Sequence, residues 1–255
     1  MKEVLSSEWL KLRSVDSTRT AIGAAAATVL AGVLWTFYVS GVAEDRGGAL
    51  RAAAPEQGFL PLTQVSLAMI GVLAITSEHA TGTIRATLIA VPKRSTLLLA
   101  KTAVVAMTTF TAGCAILLVT YASSRLIAGD RRLGFNDASF TDDLPMLVAS
   151  ALSVTVLALV GLGLGFATRS TAAAVVSVVA LLFVLPGIAN YLPSPWNARV
   201  SALLLPNLVP QIAGRHLATR LGEGFLPPWA AVIAFAAYAV AALAVGFHML
   251  RKRDA

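Results

Sequence analysis

The sequence predicts an all-α polytopic membrane protein with six transmembrane helices and both termini in the cytoplasm. Two observations predict it: the chain contains six long apolar runs free of Asp, Glu, Lys and Arg, and the charges between those runs are unevenly distributed. A helix needs ~20 residues to cross about 30 Å of hydrocarbon, and a charge at its centre costs about 3 kcal/mol on insertion. Uncharged runs of this length are therefore typical of membrane spans. They cover residues 20–42, 61–77, 102–124, 146–168, 172–191 and 229–250.

Charge in the gaps orients the predicted helices. If both termini lie on one side, that side also carries the loop 78–101 and Arg169. It then holds twelve of the 20 lysines and arginines but five of the 13 carboxylates, so the whole formal charge of +7 falls on it. Because basic loops stay inside, we expect cytoplasmic termini and a plasma-membrane location. An aromatic belt is expected on the opposite side, from Trp35, Phe37, Tyr38, Phe59, Tyr191, Trp196, Phe225 and Trp229.

Composition excludes several classes of protein. A chain that is 57% apolar, with a mean hydropathy of +0.76, is not an ordinary soluble domain. We expect one transmembrane domain over residues 1–255. The excess of lysine and arginine over acidic residues indicates loops that face the cytoplasmic leaflet rather than a nucleic-acid-binding surface, since no basic stripe is interleaved with aromatic residues. Cys114, the single cysteine, lies inside the third run and is expected to be a small buried hydrophobic residue.

The first segment, residues 2–13, predicts an amphipathic helix lying in the membrane interface. Leu5, Trp9 and Leu12 recur at helical spacing, and polar side chains occupy the rest of the helix. Trp9 is expected at the depth of the lipid headgroups. The alternative is a merely polar leader segment. The residues assigned to the interfacial helix are Glu8, Trp9, Lys11 and Arg13.

The loop after the second run predicts a short cytoplasmic helix held near the membrane. Ile84, Leu88 and Val91 repeat at helical spacing, and Pro92 is expected to end the helix because proline disfavours helical geometry in the residue before it. Lys101, directly before the third run, is expected about one turn into the next span, from where its long side chain can extend back to the interface.

Two features on the remaining runs concern helix packing. Gly161 and Gly165 form a G-xxx-G pair, which permits close approach of another helix, either within the chain or from a second chain. The segment 200–213 is apolar but short, and Pro206 and Pro210 interrupt it. It predicts a re-entrant or interfacial helical element before the last span, with a simple extracellular loop as the alternative.

Motifs for catalysis and metal binding are not found in the sequence. Lys101 and Thr102 lack the preceding glycines of a phosphate-binding loop, and the histidines and the cysteine lack metal-ligand spacing. We therefore expect no catalytic residue, no metal site and no cofactor on this chain. The chain has no nucleotide-binding motif. If it pumps a substrate, the energy must therefore come from another chain.

Two motifs stand on the predicted cytoplasmic side. Residues 8–14 read E-W-L-K-L-R-S, and residues 78–85 read E-H-A-T-G-T-I-R, followed by P-K-R at 92–94. In these motifs, and in its layout, the chain resembles the type-2 permeases of ATP-binding-cassette (ABC) exporters, in which E-W-x-K-[LF]-R-S, E-x-x-x-G-T-[IL]-R and P-x-R recur. The layout covers the whole chain, whereas the motifs cover the two cytoplasmic segments only.

The resemblance implies a mechanism and partners. Two permease chains, here expected as a homodimer, associate with two cytoplasmic ATPase subunits that bind ATP and Mg, and short cytoplasmic helices transmit ATPase closure into alternating access. The docking residues so implied are Glu78, Thr81, Gly82, Thr83, Arg85 and Thr87. Membrane lipids are a further expected partner, and a drug-like, peptide-antibiotic or lipid substrate is compatible with spans free of charge. The alternatives are a non-transporting anchor or sensor subunit and, behind it, a small membrane-embedded enzyme.

Overall fold

The computed structural model describes residues 2–14, 16–45, 50–214 and 225–253, which form helices and contain no β-strand. A π-helical turn covers Ala180–Val184, between a helix that ends at Val179 and one that begins at Leu185. The helices are α1 (Lys2–Ser14), α2 (Asp16–Asp45), α3 (Pro55–Gly58), α4 (Leu60–Ala80), α5 (Thr83–Ala90), α6 (Arg94–Ala128), α7 (Phe140–Thr168), α8 (Thr171–Val179), α9 (Leu185–Ala189), α10 (Trp196–Leu203), α11 (Leu205–Ile212) and α12 (Pro228–Arg253).

The six predicted spans are confirmed as helices long and apolar enough to cross a membrane. They are α2, α4, α6, α7, the continuous segment from α8 to α9, and α12. Five of them contain a whole apolar run, and the segment from α8 to α9 ends at Ala189, two residues before the end of the run 172–191, as expected for a multi-pass membrane protein. Among the charged residues counted for orientation, Arg46, Arg215, Arg220, Glu223 and Asp254 lie outside the described residues.

Two helices extend well beyond their apolar runs. The 35-residue α6 begins at Arg94, eight residues before the predicted run, and ends at Ala128. The gap of residues 125–145 between the third and fourth runs shrinks to residues 129–139 between the helices. Helix α7 begins at Phe140 behind a capping box in which Ser139 and Asp142 bond each other's backbone N–H. Hydropathy detects the part of a helix that lies in hydrocarbon, whereas charged turns outside it continue the same helix.

Helix α7 lies at the centre of the bundle. In its most apolar stretch 72% of the residues are buried, against 22% in α12. It packs against α4, α6 and α12, and α2 packs outside α4 and α6. This arrangement leaves the outer faces of α2 and α12 for lipid or for a partner chain.

Glycines bring α7 close to both main neighbours. A Cβ atom added at Gly161 would lie 3.0 Å from the Ala68 carbonyl oxygen, and one at Gly165 would lie 2.6 Å from Ile75 Cγ2. On another face of α7, a Cβ atom at Gly163 would lie 2.3 Å from the carbonyl oxygen of Ala242 in α12. The predicted G-xxx-G packing therefore occurs within the chain. A contact of that face with a second chain does not fit, since α4 covers it.

The segments expected in the cytoplasm gather at one end of the bundle. Arg94 at the start of α6 donates to the carbonyl oxygen of Leu250 near the end of α12 at 2.7 Å. The hydroxyl of Thr171 donates to that of Thr76 at 2.8 Å, which places the α7–α8 turn beside the end of α4. We call this end, with α1, α5 and the basic residues around them, the basic end.

The broken apolar segment is helical, as predicted, and not a simple loop. It forms α10 and α11, and α11 packs against α7 and α12 with Leu208 fully buried. The buried Gln211 side chain connects α11 to α10 and to the segment before α12. Its amide nitrogen donates to the carbonyl oxygen of Ala202 at 2.8 Å, and its amide oxygen accepts from the Leu226 N–H at 2.8 Å. Pro206 at the first turn of α11 is compatible with a helix start.

At the end opposite the basic end, Arg125 is the centre of a second set of contacts, the Arg125 cluster. Its guanidinium pairs with Glu56 of α3 at 2.9 Å and with Asp143 of α7 at 3.1 Å. It also lies 3.8 Å above the Tyr121 ring and donates to the carbonyl oxygen of Phe135 at 2.9 Å. Burial raises the pKa of Glu56 above its ordinary value, although Arg125 opposes the shift. One guanidinium thus ties three elements together.

We expect Arg125→Lys to lower the free energy of unfolding by about 1–3 kcal/mol, because an ammonium cannot bind both carboxylates and the ring with the geometry of a planar guanidinium. Thermal unfolding in detergent measures the effect. Arg131→Lys is the matched control: Arg131 pairs with Glu44 on the surface, and exposed pairs contribute about 0–1 kcal/mol. Equal losses in the two variants would contradict a special role for Arg125.

Candidate functional site

Helix α5 projects from the basic end as a short, largely exposed segment. Helix α4 ends at Ala80, and Gly82 adopts a left-handed backbone (φ 72°) that glycine tolerates without strain, so the chain turns sharply into α5. Ile84 is its buried residue, and Leu88 and Val91 pack beside it against the core. This confirms the predicted helix, its inward face and its end before Pro92.

Beneath α5 lies a group of charges, the charge network, made of Glu8, Lys11, Glu78 and Lys101, of which all but the 39% exposed Lys11 are buried. The Lys101 ammonium is 2% exposed and donates to Glu8 Oε2 at 2.6 Å and to Glu78 Oε1 at 2.8 Å. Its third hydrogen bond goes to the carbonyl oxygen of Ala74 at 3.0 Å. All three ammonium protons are thereby used, which is the condition for burying a lysine at low cost.

Lys11 completes the network and connects it to α5. Its ammonium donates to Glu8 Oε1 at 2.9 Å, to Glu78 Oε1 at 3.0 Å and to Thr87 Oγ1 at 3.2 Å. Burial lowers the pKa of Lys11, but the bonds to the two carboxylates outweigh it and raise that pKa above its ordinary value. Lys11 therefore stays charged at neutral pH, and α1, α4, α5 and α6 are joined through two ammonium groups.

The charges of the network balance, because two lysines face two glutamates. One polar atom is left over: Glu78 Oε2 is buried and has no hydrogen-bond partner within the described protein. A cavity of about 40 Å³ lies beside it, lined by Glu8, Leu73, Glu78 and Lys101 among others. A space of that size accommodates a water molecule, whose donation to Glu78 would satisfy the carboxylate.

The structure corrects three expectations about these residues. Lys101 does not extend to the lipid interface, because its ammonium is bound inside the protein by Glu8 and Glu78. Glu78, expected as a docking residue, is buried and pairs with Lys11 and Lys101 instead of lying on the surface. Glu8 is 5% exposed, so α1 turns this acidic residue toward the bundle rather than toward water.

Other predicted docking residues do lie on the surface. Thr81, Gly82, Thr83 and Arg85 are exposed, and Thr87 is half-buried beside Lys11. Ile89, four residues after Arg85 on the outward side of α5, is 83% exposed. We call Thr81, Thr83, Arg85 and Ile89 the α5 surface. Sequence periodicity identified the inward face but not Ile89, whose exposure distinguishes it from the other apolar residues of α5.

The predicted first segment is confirmed as a helix over Lys2–Ser14, and its location in the membrane interface stays a prediction. Trp9 is 43% exposed and Arg13 is exposed, whereas Leu12 packs against the core. Within the described ranges, no group of three or more His, Cys, Asp or Glu residues is arranged to hold a metal ion. The candidate site at the basic end thus consists of the ion pairs of the charge network and the exposed helix α5.

Comparison with known proteins identifies a family. The family described as "Protein of unknown function (DUF2705)" matches residues 29–255. The chain belongs to this family. The matched range contains α4, α5 and α6, hence Glu78, Lys101 and the α5 surface, but it begins after α1, which supplies Glu8 and Lys11. No curated protein matches the chain.

Proposed function

We propose that this protein is the membrane-spanning subunit of an ATP-driven exporter, with separate cytoplasmic ATPase chains that dock on the α5 surface. The basic end then faces the cytoplasm, in agreement with the positive-inside rule. Export would proceed by alternating access, with ATP and Mg bound on the ATPase and not on this chain. Drug-like, peptide-antibiotic and lipid molecules are the candidate substrates.

One observation carries the proposal: an exposed helix is bonded directly to a buried charge network between the spans. Thr87 of α5 accepts from Lys11, and Lys11 shares Glu78 with Lys101 of α6. A force applied to α5 therefore reaches α4 and α6 through bonds of 2.8–3.2 Å rather than through a flexible loop. Such a connection supports a transporting subunit over the alternative of a non-transporting anchor subunit, which transmits no motion.

The polar side chains of the spans favour a substrate path outside the single bundle. Gln64 of α4 is 3% exposed and donates to Ser153 of α7 at 2.7 Å, and Ser150 is fully buried. These groups are satisfied by one another and by backbone, so they do not line an open channel. We infer that the path forms between two permease chains, which makes the homodimer part of the proposal.

Association with an ATPase is the primary test. The full chain is expressed with each candidate ATPase of its genome, solubilised in mild detergent and purified through an affinity tag on the permease. We expect a stoichiometric ATPase subunit, and ATP hydrolysis that rises when a transported substrate is added. Purification without any nucleotide-binding partner, under conditions where the permease stays monodisperse, would contradict the proposal.

Arg85→Glu tests the docking surface itself. Because the Arg85 side chain is exposed and forms no hydrogen bond or ion pair with the described residues, its reversal should leave insertion and thermal stability unchanged. We expect the co-purified ATPase and the substrate-stimulated hydrolysis to fall about tenfold or more, since a reversed charge in an interface costs at least 1–2 kcal/mol. Lys2→Glu, the same reversal on exposed α1, is the control. Coupled hydrolysis at the level of that control would remove the case for docking on α5.

A further inference from the structure

A second cavity lies between α1, the start of α2 and α6, and shares Leu12 and Thr18 with the cavity beside Glu78. Its volume is about 220 Å³, and its lining is largely apolar, with Trp9, Arg13, Thr18 and Thr108 as the lining residues that carry a polar group. We infer that it binds one acidic phospholipid, with an acyl chain along the cavity and the phosphate against Arg13. This inference does not rest on the proposed transport function. The lining residues are Trp9, Leu12, Arg13, Thr18, Ile22 and Thr108.

The cavity runs in the direction of an acyl chain. Thr108 lies seven residues beyond Lys101 on α6, which is about 10 Å farther from the basic end. Ile22 lies one turn beyond Thr18 on α2, also away from that end. Arg13, by contrast, lies on α1 at the basic end, where the headgroups would be. The apolar part therefore points from headgroup depth toward the centre of the membrane.

The polar group at the cavity selects the lipid. Arg13 is exposed, and its guanidinium suits a phosphate, which it can bind through two N–H groups. Trp9 is 43% exposed beside it, and a tryptophan placed between an apolar groove and the headgroups is typical of lipid-contacting surfaces. A cation at the surface of an acidic membrane strengthens binding by about fivefold, so a preference of that size for an acidic over a zwitterionic headgroup is expected.

Native mass spectrometry of the full chain in mild detergent tests the inference. Equimolar dioleoyl phosphatidylglycerol and dioleoyl phosphatidylcholine are added, so that the two probes differ in the headgroup alone. We expect one tightly retained phosphatidylglycerol, preferred about fivefold, and loss of that preference in Arg13→Gln. Lys2→Gln is the control, because it removes an exposed cation eleven residues away on the same helix.

Two further arms separate the acyl chain from the phosphate. Ile22→Trp should fill the cavity and reduce retention of both lipids, whereas dihexanoyl phosphatidylglycerol and inorganic phosphate should fail to displace the dioleoyl lipid. Displacement by inorganic phosphate alone would identify an anion site and overturn the inference. Equal retention of the two headgroups, or equal effects of Arg13→Gln and Lys2→Gln, would overturn it as well, and neither outcome depends on whether Ile22→Trp folds.

Discussion

Lys101→Met is expected to lower the free energy of unfolding by about 3–5 kcal/mol, because it leaves an uncompensated charge in a buried site. In the wild-type chain the ammonium bonds to Glu8, Glu78 and the carbonyl oxygen of Ala74. Methionine fills a similar volume but donates to none of them. The measurement is the thermal unfolding of the detergent-solubilised chain, followed by its monodisperse peak in size-exclusion chromatography.

A second substitution distinguishes lost charge balance from lost packing. In Lys101→Met/Glu78→Gln the site again carries equal charges, since Lys11 and Glu8 remain paired at 2.9 Å. We expect the double variant to recover a substantial part of the stability lost by Lys101→Met. Lys93→Met, at an exposed position in front of α6, is the control for removal of a cation. A double variant less stable than Lys101→Met would show that the network does not act through its charge.

Gly71→Ala is expected to cost about 3 kcal/mol or more, close to the upper range for overpacking in a core. A Cβ atom at Gly71 would lie 1.8 Å from the Ala158 carbonyl oxygen, and the obstacle is backbone that no side-chain rotation removes. Helices α4 and α7 must therefore separate along the main contact of the bundle. We expect low expression and a lowered unfolding temperature, measured as for Lys101→Met.

Gly41→Ala is the matched control for Gly71→Ala. Gly41 lies in helix α2, and a Cβ atom there would meet no heavy atom within 4 Å. Because alanine favours a helix over glycine by about 1 kcal/mol, the control should be as stable as the wild type or slightly more so. If both variants behaved alike, the close contact between α4 and α7 would not limit the stability of the fold.

Hydropathy predicted the six spans because an uncharged run of this length has few alternatives to a membrane helix. The same reasoning placed the ends of α6 too far inward. Helix α6 begins at Arg94 and ends at Ala128, and its first and last turns carry charged residues. Hydropathy indicates whether a segment lies in hydrocarbon or in water, and it does not indicate where the helical backbone ends. Local patterns were more reliable: the spacing of Ile84, Leu88 and Val91, with Pro92 after them, predicted α5.

The charge network was beyond sequence reasoning for a different reason. Glu8 and Lys101 are 93 residues apart, and no periodicity connects them. A lysine near the end of an apolar run is compatible with the lipid interface and with a buried ion pair, and only the packing of α1 against α6 decides between them. One indication was present in the sequence: Lys101 lies where a second charge, Glu78, ends the preceding span.

The same helix α6 carries a charged anchor near each end, Lys101 in the charge network and Arg125 in the Arg125 cluster. The two residues are 24 positions apart, or about 36 Å along the helix axis. Slippage by one turn would displace both anchors by about 5.4 Å and rupture four ion pairs at once. Piston-like movement of α6 is therefore disfavoured. Any rearrangement of the bundle that preserves these pairs must tilt or swivel α6 together with α1 and α4 at one end and with α3 and α7 at the other.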